Sequence, residues 1–168
     1  MLDLFQKNMR NLITLSFLLF LACNTKDKSE NTKNAIQNPE ELYAIKTMLK
    51  TQQTCWNNGD IDGFMQGYWN SENLIFTSLN HKPAYGWENT LKRYKNSYPN
   101  KESMGELKFK IINLELISKT SATLKGEWTL IREKDQPNGL FWLDVEKIDA
   151  NWLITKDSTI SFETNTPL

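Results

Sequence analysis

Asn58-Gly59-Asp60-Ile61-Asp62-Gly63-Phe64-Met65-Gln66-Gly67-Tyr68-Trp69 is the stretch on which the fold turns. Asn58-Gly59 is a helix stop, since both residues tolerate the left-handed backbone that closes a last turn. Asp60 follows at once as a side-chain cap for a new helix. Ile61, Phe64, Met65, Tyr68 and Trp69 then recur at i, i+3, i+4, i+7 and i+8, one buried helical face. Two helices joined by a tight Gly-Asp corner are expected.

Upstream, Asn38-Pro39-Glu40-Glu41 starts the first of these helices, with Asn38 as cap, Pro39 in the first turn and Glu41 three residues after the cap. Its apolar stripe is Leu42, Ile45, Met48, Leu49, Cys55 and Trp56, interrupted by Gln52. Downstream, Asn73–Leu79 is strand-like and a polar loop carries His81 and Pro83. Trp87, Leu91, Tyr94 and Tyr98 mark a third helix that Pro99 closes.

The remainder reads as sheet. Leu107, Phe109 and Ile111 alternate in one phase and Ile112, Leu114 and Leu116 in the other, which predicts a bulge near Ile111. Ala122, Leu124, Trp128 and Leu130 alternate with Thr123, Lys125, Glu127 and Thr129, a half-buried antiparallel strand. A strand with Phe141, Leu143 and Val145 on one face turns at Asp149-Ala150-Asn151 into a last strand running from Trp152 to about Phe162. The order α-α-β-α-β-β-β-β, helices first and sequential strands after, predicts an α+β layer structure.

The N-terminus carries an address. Lys7 and Arg10 precede the apolar run Leu12–Ala22, which is too short for a membrane span of about 20 residues and fits an export signal. Ala22-Cys23 resembles the lipobox of bacterial lipoproteins, with Phe20 where that pattern prefers Leu. The expectation is a signal peptide over 1–22, a lipidated Cys23, a flexible polar tether over 23–38 and one domain over 39–165. The protein would then be an exported lipoprotein on the cell membrane or outer membrane, facing the periplasm or the cell surface. The whole chain carries 20 basic and 20 acidic side chains, interspersed. That pattern argues against a nucleic-acid partner, which needs clustered positive charge. Cys55 is left without a disulfide partner and reads as a small buried residue. No cofactor motif and no metal-ligand spacing is present, and the single His81 reads as a solvated surface residue.

The corner at residues 58–64, Tyr68-Trp69, Tyr85-Gly86-Trp87, Tyr98-Pro99 and the Trp152-Leu153-Ile154 start of the last strand together resemble the nuclear transport factor 2-like superfamily. Within it the chain resembles the bacterial branch of SnoaL-like and ketosteroid isomerase-like proteins of unknown function. The resemblance implies a cone: three N-terminal helices packed on a strongly curved antiparallel sheet, a pocket at the open end, and a homodimer through the outer sheet face. In the isomerase relatives an Asp base would fall near Phe76–Ser78, the oxyanion Tyr near Gln52, and a second Asp near Asp144. Only the last position holds a matching residue. Losing the base removes a contribution of about 10² to 10⁴ in rate, so chemistry of that type is disfavoured.

On such a cone Trp56, Tyr68, Trp69, Trp87, Tyr94 and Trp128 converge toward the pocket, with Arg132 in phase with Trp128. These residues suggest a pocket for a small apolar molecule. The same aromatics would equally serve as core filling. Asp144 and Asp157 are the weak catalytic candidates for a cyclase-, dehydratase- or isomerase-like alternative, with Asp157 otherwise an exposed strand-end residue. A third alternative is a homodimeric interaction domain, with Trp142 and Asp144 at its surface.

Overall fold

The computed structural model describes residues 38–79 and 81–162. The segments expected to be a signal and a tether, with Cys23, lie outside the described residues up to residue 37, as do residues 163–165 of the expected domain. Four helices and six strands follow in order: α1 (Pro39–Asn57), α2 (Ile61–Met65), β1 (Ile75–Ser78), β2 (Ala84–Tyr85), α3 (Trp87–Ser97), α4 (Lys101–Met104), β3 (Glu106–Leu116), β4 (Ser121–Ile131), β5 (Asn138–Ile148) and β6 (Asn151–Ser161). The helices pack on a six-stranded sheet of order β2-β1-β6-β5-β4-β3. Every neighbouring pair is antiparallel except β1 and β6, so the sheet is mixed where an antiparallel one was expected.

The caps form where the sequence places them. Asn38 accepts from the Glu40 amide at 3.0 Å and Asp60 from the Gly63 amide at 2.7 Å. Glu41 does not reach back to the cap. Its carboxylate takes the Lys147 ammonium and the Trp152 indole N–H, each at 2.6 Å, and so fastens the first turn of α1 to the β5–β6 hairpin. Ile45, Leu49, Gln52 and Trp56 form the buried face of α1, so Gln52 belongs to the stripe rather than breaking it. Its amide donates to the Phe64 carbonyl at 3.0 Å. Cys55 is half-buried.

The second helix is shorter than its periodicity suggests. It stops at Met65, and Gly67 and Trp69 pair their backbones with Ile154 of β6. A Cβ at residue 67 would collide with the Gln52 side chain, so only glycine lets the chain pass there. Tertiary pairing overrides helical propensity at this point.

Two bulges shape the sheet. The first lies at Ile112 on β3, between the pairs Ile111↔Gly126 and Asn113↔Lys125, as the phase change in the sequence predicts. The second lies on β6: Asp144 pairs with Lys156 but Val145 with Ile154, so Thr155 is the extra residue. An added residue flips every later side chain to the other face.

Candidate functional site: a lined cavity with a buried carboxyl

Between the helices and the concave face of the sheet lies a cavity of about 550 Å³. One wall is α1, through Leu49, Gln52 and Trp56. The opposite wall is the sheet, through Phe109, Trp128, Leu130 and Phe141. Gly126 opposes Phe141 across the strands, and a Cβ there would strike the Phe141 ring, so the glycine makes room for that ring in the wall. Polar side chains of α3 line the cavity at one end, with exposed Asn89, Lys92 and Asn96 and half-buried Arg93 at i, i+3, i+7 and i+4.

Asp157 is the polar centre of the cavity. It lies on β6 between Phe76 of β1 and Leu143 of β5 and is 5% exposed. The Thr155 bulge aims it there. Trp152 and Ile154 face the core before the bulge, and Asp157 faces it afterwards, whereas strict alternation would have turned Asp157 to solvent.

The Tyr68 hydroxyl donates to Asp157 Oδ2 at 2.7 Å, and the Tyr94 hydroxyl lies 3.1 Å from that of Tyr68. With the one Tyr68 proton committed to the carboxylate, Tyr94 donates to Tyr68. Among the described residues, Asp157 Oδ1 is the one buried side-chain oxygen or nitrogen without a partner.

Burial pushes the Asp157 carboxyl up to about 7, against a smaller downward pull from the Tyr68 hydrogen bond. Burial, and then the charge of Asp157, raise Tyr68 well above the usual phenol range, and Tyr94 is raised the same way. The chain therefore holds two neutral phenols in series behind one carboxyl that exchanges its proton near neutrality. Aromatic rings brace the group: Phe64 lies 5.2 Å from Tyr94 edge-on, and Phe76 lies 5.6 Å from it.

Trp56, Tyr68, Tyr94 and Trp128 line the cavity, and four other residues singled out from the sequence do not. Trp69 is next to Tyr68 in an extended bridge to β6, so the two point to opposite sides. The Trp87 indole is tied to the Met65 carbonyl at 3.0 Å, between α2 and α3. Arg132 keeps the phase of Trp128 but lies one residue past the end of β4. Its guanidinium grips both oxygens of Asp135, at 2.5 and 2.7 Å, and the Ser103 carbonyl. Asp144 is exposed on the outer face, because Leu143 and Val145 on either side of it point inward.

Gln52, Phe64, Phe76, Lys92 and Arg93 line the cavity without having been singled out as site residues. Phe64 sits on the α2 stripe and Gln52 at the α1 spacing, so both were within reach of periodicity. Among the described residues no group of three or more His, Cys, Asp and Glu side chains gathers to hold a metal ion, and no helix is long and apolar enough to cross a membrane.

Helices closed over a curved sheet around one aromatic cavity define the cone class of α+β proteins. The chain is similar to a nuclear transport factor 2-like protein of unknown function from Shewanella oneidensis, at 48% identity over 71% of this chain and 98% of that one, with a TM-score of 0.69. It belongs to the nuclear transport factor 2-like family. A ketosteroid isomerase-like protein from Erwinia carotovora atroseptica shares the fold at 13% identity, covering 74% of this chain and 98% of that one, with a TM-score of 0.61. So does a domain of unknown function with a cystatin-like fold from Nostoc punctiforme, at 15% identity, 76% and 81% coverage and a TM-score of 0.64. No protein-family model matches the chain, and no curated protein matches it.

Where the resemblance to the isomerases would seat a base, β1 offers Phe76, Thr77 and Ser78. The cavity's carboxyl stands one strand over, on β6, paired in register with Phe76. Its tyrosines come from the segment after α2 and from α3, not from the Gln52 position.

Proposed function

We propose that this domain binds a small, largely apolar molecule that enters the cone and presents one hydrogen-bond donor to Asp157 Oδ1. The observation that carries the reading is that unpartnered, buried oxygen on the wall of an aromatic cavity. A buried polar atom without a partner costs about 1–3 kcal/mol, and a ligand donor would recover that cost. The cavity volume lies within the range of small-molecule sites. Calorimetric titration with phenylbutanol tests it: heat of binding and a raised melting temperature are expected. No response from it or from its close homologues would overturn the reading.

In the same proposal a lipid on Cys23 tethers the domain to a bacterial membrane, facing the periplasm or the cell surface. Mass spectrometry of the membrane-extracted protein checks this, since an unmodified N-terminus upstream of Cys23 contradicts it. The outer sheet face, where Trp142 is 39% exposed beside Lys125, is the proposed homodimer surface. A monomer at micromolar concentration in sedimentation would sink that part.

A second reading rests on the proton affinity of Asp157. A carboxyl near 7 is matched to acid–base work at neutral pH, so an isomerase-, dehydratase- or cyclase-like activity would use it. Infrared titration decides whether that motive stands, because a carboxyl band that ionises near the ordinary value of about 3.9 removes it.

A further inference from the structure

The entrance of the cavity differs in charge from the rest of the molecule. Across the whole chain acidic and basic side chains balance. Among the exposed and half-exposed residues that line the cavity, the charged ones are Lys92 and Arg93, and no carboxylate accompanies them. The third cation of α3 shows the contrast. Lys95, on another face of the helix, is neutralised by Asp62 at 2.7 Å, whereas no carboxylate among the described residues lies within salt-bridge distance of Lys92 or Arg93.

Arg93 is held at that rim. Its guanidinium lies 5.0 Å over the Phe76 ring, and one of its nitrogens donates to the Lys82 carbonyl at 3.2 Å. A guanidinium has five N–H donors, so most of them stay free for a ligand. Asn89 and Asn96 flank the two cations on the same helical stripe; the Asn89 amide donates to the Tyr85 carbonyl at 2.8 Å, and Asn96 adds a further amide.

Resting on the binding reading above, we propose that the ligand is an organic acid whose largely apolar body enters first, gives a terminal hydroxyl to Asp157 Oδ1 and leaves its carboxylate at the mouth against Lys92 and Arg93. The opposite orientation would strip a carboxylate of its hydration at the apolar floor and leave an apolar tail against two cations in water. A protonated amine would have to pass two uncompensated cations and then shed its hydration at the floor. The acid meets apolar walls along its length and opposite charge where it remains in water.

Titration of the full chain with para-hydroxyphenylbutyrate, para-hydroxyphenylbutanol and para-hydroxyphenylbutylamine, which share a hydroxyl-tipped tail and differ in head group, tests this. The acid is expected to bind about tenfold tighter than the alcohol at low salt, the worth of two exposed ion pairs. At roughly 1 M salt the gap should close. In the double variant Lys92→Gln, Arg93→Gln the advantage of the acid should fall to about twofold or less. Lys92→Gln alone, at an exposed side chain, keeps the test if the double variant fails to fold. Equal affinity for acid and alcohol, or tighter binding of the amine, overturns the proposal while the cavity remains a binding site. Failure of all three probes overturns the binding reading and this proposal with it.

Discussion

Asp157 holds its proton more tightly in the folded chain than in the unfolded one, with a folded value of about 7 against 3.8. Between those values the native state carries more protons, so stability falls as pH rises from about 4 to 7, and the full benefit is present only below that window. The size is on the order of 4 kcal/mol. The groups facing Asp157, Tyr68 and Tyr94, stay neutral throughout, and the cations Lys92 and Arg93 lie at the mouth. Asp157→Asn is expected to flatten the dependence, so that thermal melts of the variant differ little between pH 5 and 8 while the parent loses stability. A parent curve as flat as the variant's would contradict the buried carboxyl. Sequence reading saw Asp157 only as a weak candidate, because alternation from Trp152 turns it outward and a one-residue bulge leaves no residue signature at Thr155. Asp144 errs the other way. The neighbours Leu143 and Val145 already placed it on the outer face, and the resemblance to the isomerases pointed the other way.

At the scale of elements, the β5–β6 hairpin turns through Asp149 and Ala150, both at positive φ, 48° and 68°. Alanine is poorly suited to that backbone, which costs an L-residue about 1–2 kcal/mol. Ala150→Gly is therefore expected to raise stability by about 1 kcal/mol in urea denaturation. An unchanged midpoint would mean that the turn carries no strain. The fastening of α1 is the second elemental test. Lys147 and Trp152 draw the Glu41 carboxyl below the usual carboxylate range. That contribution is present above the ordinary carboxylate pKa and lost as pH falls through the lowered one. Glu41→Gln should lower the melting temperature at neutral pH and bring parent and variant together in acid; melts that coincide at every pH would refute the fastening. Helix starts at Asn38 and Asp60 and the stop before Pro99 were legible because each depends on one or two local side chains. The length of α2 was not, since a backbone pairing with β6, nearly ninety residues on, decides it.

Across the whole molecule, the cone was legible through the sum of short patterns, each weak alone: the Gly-Asp corner, the aromatic pairs and the phase-shifted β3. Whether the aromatics fill the cone or line a space was not, because that depends on how far the helices stand from the sheet. The parallel pairing of β1 with β6 was beyond local pattern for the same reason. That pairing has a kinetic consequence. Of the six strands described, β6 is the last to be synthesised, yet it lies between β1 and β5 in the sheet. Until it emerges, β1 and β2 have no place to dock, and the cavity lacks the strand that carries Asp157. Ile75 must find Lys156 across some eighty intervening residues, and contacts of such sequence separation slow folding. While β6 is still unmade, α1, α3 and the β3–β5 meander have an open seam between them, with apolar surface uncovered where β6 will close it. β6 acts as the keystone of the sheet, and the order of synthesis postpones the closed cavity until the other five strands have been made.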